Sequence, residues 1–475
     1  MIATRIAESK SLLVRRFSKG INRVIGTKIL GKVSWREKMA KYNFDKITNR
    51  KGTNCLKYDY VVERGKPADV LPLWVADMDF RVSEEITKSL HVAVEHGIYG
   101  YTQPKDPYYN AVIHWMEKNH NWKTEREWIV KTPGVVFALG AAVKAFTEPG
   151  DAILIQNPVY YPFTNIIRDN DRKLVDNTLV YHPAAEQTAV KTEATLAGSE
   201  PINNTSMTKK DKIDNGSVQK IDSGSTRPAY QIDFEDFERK IEQEHVKLFI
   251  LCNPHNPVGR VWTKEELQKL GEICLRHNVI VVSDEIHNDF VYPGYEHTVF
   301  ANVDPRFAEF TVTCTSPSKT FNLAGLQISN IFIPNERLRE AFQKEIDRTG
   351  YDEPNAMGVV ACEAAYRAGE DWLDQLRAYL LENLNFLRNY LQEKIPQIHL
   401  VEPEGTYLVW LDCSELGITG KELDQFIVEK AGLWLDGGSM FGSSGAAFQR
   451  VNIACPRATL ELALDKLKAA IDSLK

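Results

Sequence analysis

Apolar positions recur at helical spacing over residues 83–96, and the same period returns at 108–119 and 135–146. The third stretch, VVFALGAAVKAF, is apolar on nearly every side, which predicts a helix buried all round. Short runs rich in β-branched and apolar residues follow at 152–155, 174–181, 247–252, 279–283 and 310–315, separated by helical stretches such as 263–277. Strands alternating with helices predict an α/β fold built on a mostly parallel sheet with both faces covered. The pattern then changes. Helices lead, among them a long one at 371–394 with Leu376, Leu380, Leu384, Leu387 and Leu391 on one face, before strands at 399–413 and 449–454 and a last helix at 459–474. That order predicts a separate, smaller α+β domain.

Two segments break the alternation. Residues 183–228 are rich in Ser, Thr, Asn, Lys and Asp and contain no aromatic residue, so they bury too little apolar surface to offset the entropy of ordering. They read as a flexible surface insertion, and the flanks, strand-like before and 230–237 after, as one hairpin or strand–helix link that has been opened up. The first 38 residues carry Arg5, Lys10, Arg15, Arg16, Lys19, Arg23, Lys28, Lys32, Arg36 and Lys38 against only Glu8 and Glu37. Three readings fit: a basic amphipathic segment for a membrane surface or partner, a transit-like leader, or an appendage left by an early start codon. Arg15 and Arg16 interrupt the only apolar stretch, which argues against a secretory signal.

Composition narrows the class. A length of 475 residues suits two or three domains, and a net charge of -6 gives no reason to expect nucleic-acid binding. The seven cysteines are scattered singly, with no CxxC pair, which points to a reducing cytosol. No apolar run approaches the ~18 residues that a membrane span requires.

Four positions near predicted strand ends carry the candidate chemistry. LFILCNPHNPVG ends a strand in a turn holding Asn253 and Asn256, although Asn-Pro pairs mark turns in any case. VIVVSDEIHNDF places Asp284 at the end of an apolar strand and His287 three residues on. An acid there either caps the following turn or keeps a cationic ring nitrogen protonated. After Gly134, the unpaired amides of Val135 and Val136 open a buried helix, which is a plain glycine turn or a phosphate site. In SPSKTFNLAGLQ, Lys319 follows a strand, flanked by the hydroxyls of Ser316 and Ser318. A lysine on a loop is ordinarily solvated; at the carboxyl end of a strand it can instead be a nucleophilic amine. A phosphate acceptor, a carboxylate for a ring nitrogen and an amine for an imine together describe pyridoxal phosphate.

From about residue 39 to the end, the insertion apart, the chain resembles the fold-type I pyridoxal-phosphate enzymes of the aminotransferase class I and II superfamily. Within it the sequence is most similar to the MalY/PatB group of cystathionine β-lyases, through LPLWVADMDF, YGYTQP, NPHNPVGRVW, SDEIHNDF, SPSKTFNLAGLQ and FQRVNIACPR. The resemblance implies a large domain, residues 89–334, with a seven-stranded sheet sandwiched by helices, and a small domain formed by 335–475 joined by 39–88. It implies that Lys319 holds the cofactor as an imine, that Asp284 pairs with the pyridine nitrogen and that Asn256 bonds the ring hydroxyl. Tyr160 would stack on the ring, while Val135, Val136, Ser316 and Ser318 would cradle the phosphate. Tyr101 would reach the phosphate of a neighbouring subunit in a homodimer, and Arg450 would grip the α-carboxylate of an amino-acid substrate, with Trp74 in the same pocket.

Two departures from the wider superfamily favour the β-lyase group. His287 stands where aminotransferases commonly have Tyr, and Gln327 where they have an arginine eight residues past the lysine; His287 is then a ring-hydroxyl contact. The activity implied is α,β-elimination on cystathionine or a related cysteine S-conjugate, giving homocysteine or another thiol, pyruvate and ammonia. An aminotransferase is the nearest alternative, and a regulatory partner-binding protein a second.

Overall fold

Alternation along the strands decides how the sheet is covered. In Leu248–Cys252, the side chains of Leu248, Ile250 and Cys252 enter one apolar cluster and those of Phe249 and Leu251 another, on the opposite face. The structure, a computed structural model, describes residues 41–183 and 229–474; the basic leader and the polar insertion from residue 184 to 228 lie outside them.

Seven strands form the main sheet: β1 (Ile129–Thr132), β2 (Ala152–Ile155), β3 (Lys173–Asp176), β4 (Leu248–Cys252), β5 (Ile280–Asp284), β6 (Thr311–Thr315) and β7 (Ser329–Phe332). Their order across the sheet is β1-β7-β6-β5-β4-β2-β3. Neighbours from β6 to β3 are parallel, while β7 runs antiparallel to both β6 and β1. Helices Val135–Phe146 and Glu336–Arg348 help cover one face, and Phe234–Glu244 and Lys264–Arg276 the other. The last of these starts where its sequence dictates: Thr263 and Glu266 form a reciprocal capping box.

A second, four-stranded sheet contains β8 (His399–Val401), β9 (Leu408–Asp412), β10 (Asp436–Gly437) and β11 (Phe448–Asn452), in the order β8-β9-β11-β10 and antiparallel throughout. Helix Glu370–Lys394 packs along it, with its five predicted leucines all buried. From Tyr42 onward the described chain is one compact unit, in which a shared core links residues near the amino end, such as Phe44 and Phe80, to Trp372.

Several expectations need correction. The 399–413 run is a hairpin, β8 and β9, because Glu402–Tyr407 turns the chain through Gly405, where a Cβ would lie 2.7 Å from the Phe290 carbonyl. The 174–181 run is likewise two strands, β3 and Val180–Tyr181. Helix Val135–Phe146 is not buried all round: positions 136, 140 and 144 share one face, and Val136 is 43% exposed. The edge strand β1 and its antiparallel neighbour β7 were not anticipated, since four-residue strands give too short a periodic signal. Of the two links expected at the insertion, a hairpin or a strand–helix connection, the structure has the hairpin, with Val180–Tyr181 antiparallel to Tyr230–Gln231.

Candidate active site

Parallel strands all point their carboxyl ends the same way, so the segments leaving them meet along one edge of the sheet. There a cavity of about 180 Å³ is lined by Val135 and Val136 after β1, Asn256 after β4, Asp284 and His287 at the end of β5, and Ser316, Ser318 and Lys319 after β6, with Tyr160 on its wall. Ala76, Pro133, Cys252, Ile286, Ala324 and Ile328 also line it, and sequence reasoning singled out none of them for the site.

Lys319 lies on a short helix, Pro317–Thr320. Its Nζ donates to the Ala76 carbonyl at 2.7 Å, and burial together with the nearby Arg450 charge lowers the amine to about 8. The neighbouring Thr320 hydroxyl donates at 2.6 Å to Asp289, a buried acid just beyond Asp284, tying the two segments together. Asn322, three residues past the lysine, exchanges hydrogen bonds with Met78 and donates to the Phe80 carbonyl. The wall formed by residues 76–80 is thereby held against the lysine.

Asp284 is buried, and its carboxylate accepts one backbone bond, from the Ile286 amide at 3.2 Å. Burial raises its carboxyl to about 7, against the pull of that bond and of Lys319. His287 is buried, its Nδ1 without a partner among the described residues, and burial, Lys319 and Arg450 all push its imidazole well below the ordinary value, so it is neutral. Burial raises the Tyr160 phenol, which keeps its proton.

At the start of Val135–Phe146, bonding within the helix begins where the Ala138 amide donates to the Gly134 carbonyl at 3.1 Å. The Val135 and Val136 amides precede that point, and Gly134 offers no side-chain cap. The two serines differ. Ser316 Oγ donates to the Ile328 carbonyl (2.8 Å) and accepts from the Ser318 amide (3.1 Å), so it serves as a helix cap, while Ser318 keeps its hydroxyl for the cavity.

Arg450, from β11, sits beside this cavity. It donates to Asn256 Oδ1 at 2.9 Å and to the Trp74 carbonyl at 3.0 Å, and forms a buried ion pair with Asp436, its cross-strand neighbour on β10. Among the described residues its Nε–H has no partner. The Asp436 partnership was invisible in the sequence, since it depends on strand register. Tyr101 stands apart: it is 95% exposed, beside Tyr99, Glu353 and Pro354, and does not line the cavity within this chain.

A doubly covered, mostly parallel sheet whose carboxyl edge joins a buried amine, a buried carboxylate and unpaired helix amides defines an α/β protein equipped to hold an anionic ring-bearing ligand. The chain belongs to the aminotransferase class I and II family, whose sequence model matches residues 68–204 and 214–467. It is 42% identical over 429 residues to the cystathionine β-lyase PatB of Bacillus subtilis, covering 90% of this chain and 100% of that one. Protein MalY of Escherichia coli is 30% identical over 436 residues, with 91% and 100% covered. Among solved structures, cystalysin from Treponema denticola, which contains a pyridoxal 5'-phosphate cofactor, superposes with a TM-score of 0.79 at 35% identity, over 91% of this chain and 100% of that one.

Proposed function

We propose that this chain is a pyridoxal-phosphate-dependent carbon–sulfur lyase that splits cystathionine or a related cysteine S-conjugate by α,β-elimination. The observation that carries this reading is the apposition of Lys319, Asp284 and the open helix amides in one cavity, in a chain aligned along 90% of its length with a cystathionine β-lyase. The residues fit the cofactor on their chemistry. The Val135 and Val136 amides and the Ser318 hydroxyl are donors for a phosphate. Asp284 has a single backbone bond and accepts from a ring nitrogen; Asn256 and neutral His287 are left for a ring hydroxyl, and Tyr160 supplies an aromatic face.

When bound, pyridoxal phosphate supplies the electron sink that makes the Cα proton of an amino acid removable. Lys319 would hold it and, as the free amine, would accept that proton at Nζ. An amine lowered to about 8 is neutral in a useful fraction near neutral pH, as a general base must be. Asp284 would keep the ring nitrogen protonated, and that cation would in turn favour its carboxylate. Arg450 grips the α-carboxylate through its unpartnered Nε–H, while Asp436, Asn256 and the Trp74 carbonyl fix the guanidinium plane. The carbon–sulfur bond breaks with its electron pair on sulfur, and the three-carbon remainder takes up water to give pyruvate and ammonia.

We assign Tyr101 to the phosphate site of a partner subunit in a homodimer. Its 95% exposure, and the exposed Val92, Val94, Ile98 and Tyr99 on the same stretch, support this. The division into a large domain, 89–334, and a small domain, 335–475 with 39–88, draws support from the separate four-stranded sheet, although helix Glu336–Arg348, beyond that boundary, packs on the main sheet. Among the described residues no helix is long and apolar enough to cross a membrane, and every cysteine is free, in keeping with a cytosolic enzyme.

Purified protein given L-cystathionine without any keto acid is expected to release pyruvate, and Lys319→Ala to lose both that activity and the visible absorption of the lysine-bound cofactor. Turnover that requires a keto acid and yields no pyruvate would instead identify an aminotransferase.

A further inference from the structure

Next to Arg450 the structure holds a second guanidinium that the reaction above leaves unused. Trp74 and Trp434 stack with ring centroids 4.5 Å apart and planes 16° from parallel, anchored by Val61 and Val70. Arg64 lies over the Trp74 ring, its Cζ 5.2 Å from the centroid. The same tryptophan accepts from Arg450 through its carbonyl at 3.0 Å. One residue therefore touches both guanidinium groups.

Both cations also act on one neighbouring group. The Tyr161 hydroxyl is pushed up by burial and by Asp436, and Arg450 and Arg64 both draw it back. Tyr161 adjoins Tyr160, which lines the cavity. The two arginines differ in their commitments. Arg450 is buried and ion-paired to Asp436. Arg64 is exposed, and among the described residues its guanidinium has no acid or hydrogen-bonding partner; only its backbone amide bonds, to the Tyr60 carbonyl at 3.1 Å.

Stacking on an indole orders a guanidinium without neutralising it, since the ring face attracts the cation but takes up none of its five N–H donors. Lys66 lies over the other indole, Nζ 5.9 Å from the Trp434 centroid, and adds to the same positive rim on a chain of net charge -6. An ordered, unneutralised cation beside the α-carboxylate site suits a second carboxylate on the same ligand.

We propose that Arg64 is a specificity-determining residue that receives the distal carboxylate of a dicarboxylic, cystathionine-type substrate while Arg450 holds the α-carboxylate. This rests on the lyase reading for the substrate class and on Arg450 as the α-carboxylate site. Substrates without a distal carboxylate, such as S-methyl-L-cysteine, gain nothing from Arg64.

The test compares wild type, Arg64→Gln and Arg64→Lys as cofactor-loaded proteins. KM for L-cystathionine is expected to rise roughly tenfold in Arg64→Gln at nearly constant kcat, the scale of one hydrogen-bonded charge pair. KM for S-methyl-L-cysteine should move far less, and Arg64→Lys should recover part of the loss. Calorimetric titration with L-2-aminosuberate and L-2-aminooctanoate, which match in length, differ in the distal carboxylate and carry no leaving group, gives a readout independent of turnover. Wild type should prefer the aminosuberate, and Arg64→Gln should erase that preference. An equal change for both members of either pair, or an unchanged preference, overturns the assignment. If wild type forms pyruvate from neither sulfur substrate, the lyase reading falls and the calorimetric preference still decides the role of Arg64.

Discussion

Asp284→Asn should make the cofactor-stripped protein more stable and the loaded protein inactive. The carboxyl is raised from 3.8 to about 7, chiefly by burial, and accepts a single hydrogen bond at 3.2 Å. At about 1.4 kcal/mol for each tenfold change in proton affinity, that rise corresponds to about 4 kcal/mol between the protonated and ionised forms. The native state binds this proton more tightly than the unfolded chain does. Its contribution is therefore fully present below pH 4, declines as pH rises, and is gone above the folded value of about 7. Asn carries no charge to desolvate, although its amide hydrogens need acceptors and Lys319 loses a counter-charge; a net gain of about 2–3 kcal/mol at pH 8 is expected. Denaturant unfolding of stripped wild type and variant at pH 4 and pH 8 measures it: the difference should open in favour of the variant as pH rises. Equal stability at both pH values, or a less stable variant at pH 8, would refute the reasoning that this carboxylate pays an uncompensated burial penalty until a cation lies beside it.

Lys319 in the stripped protein should be acylated by an amine reagent with a midpoint near pH 8, followed as the labelling absent from Lys319→Ala, and Arg450→Leu should move the midpoint upward by removing a repelling charge. Asp79→Ala should destabilise the fold by about 3–5 kcal/mol in thermal or denaturant unfolding, because Lys57, fully buried, loses its nearer carboxylate at 2.8 Å and keeps Asp77 only at 4.0 Å. Gly358→Ala places a Cβ 2.5 Å from the Leu326 carbonyl on the turn beyond Lys319, so a cost of about 1–3 kcal/mol and weaker cofactor retention on dialysis are expected. Replacing residues 183–228 by a two-residue Asn-Gly turn should preserve cofactor absorbance and activity, since Tyr181 and Tyr230 already face each other across a hairpin; loss of both would show that the segment supports the site.

Much of this was legible because periodicity survives without tertiary information. The helix expected at 371–394 is Glu370–Lys394, and the strand runs of β2, β4, β5 and β6 lie within a residue or two of their predicted ends. The cavity was legible for a related reason: strand ends in an α/β sheet are ligand positions, so Asn256, Asp284 and Lys319 announced themselves by place as well as by residue type. What stayed hidden depends on contacts between distant segments. The Ala76 carbonyl on Lys319 joins residues 243 apart in the chain, and Asp436 meets Arg450 only through the register of β10 on β11. The cap role of Ser316 was equally unreadable, because its acceptor, the Ile328 carbonyl, comes close only when the chain turns back into β7.

One lateral row of the sheet explains why those residues work together. Cys252, Asp284 and Cys314 are register partners across β4, β5 and β6. Asn256 lies four residues past that row, Asp284 on it, and Lys319 five residues past it, so two short excursions from the strands on either side of Asp284 deliver the amide and the amine to the cavity that holds the acid. Parallel strands in register, spaced by ~4.8 Å, thus bring together groups far apart in sequence without any long loop having to be ordered for the purpose. A one-residue slip of β5 against β6 would turn Asp284 to the other face of the sheet. The apolar alternation that fills both faces, Val281 into one cluster and Val282 into the other, therefore fixes the acid opposite the lysine as firmly as any contact the acid itself makes.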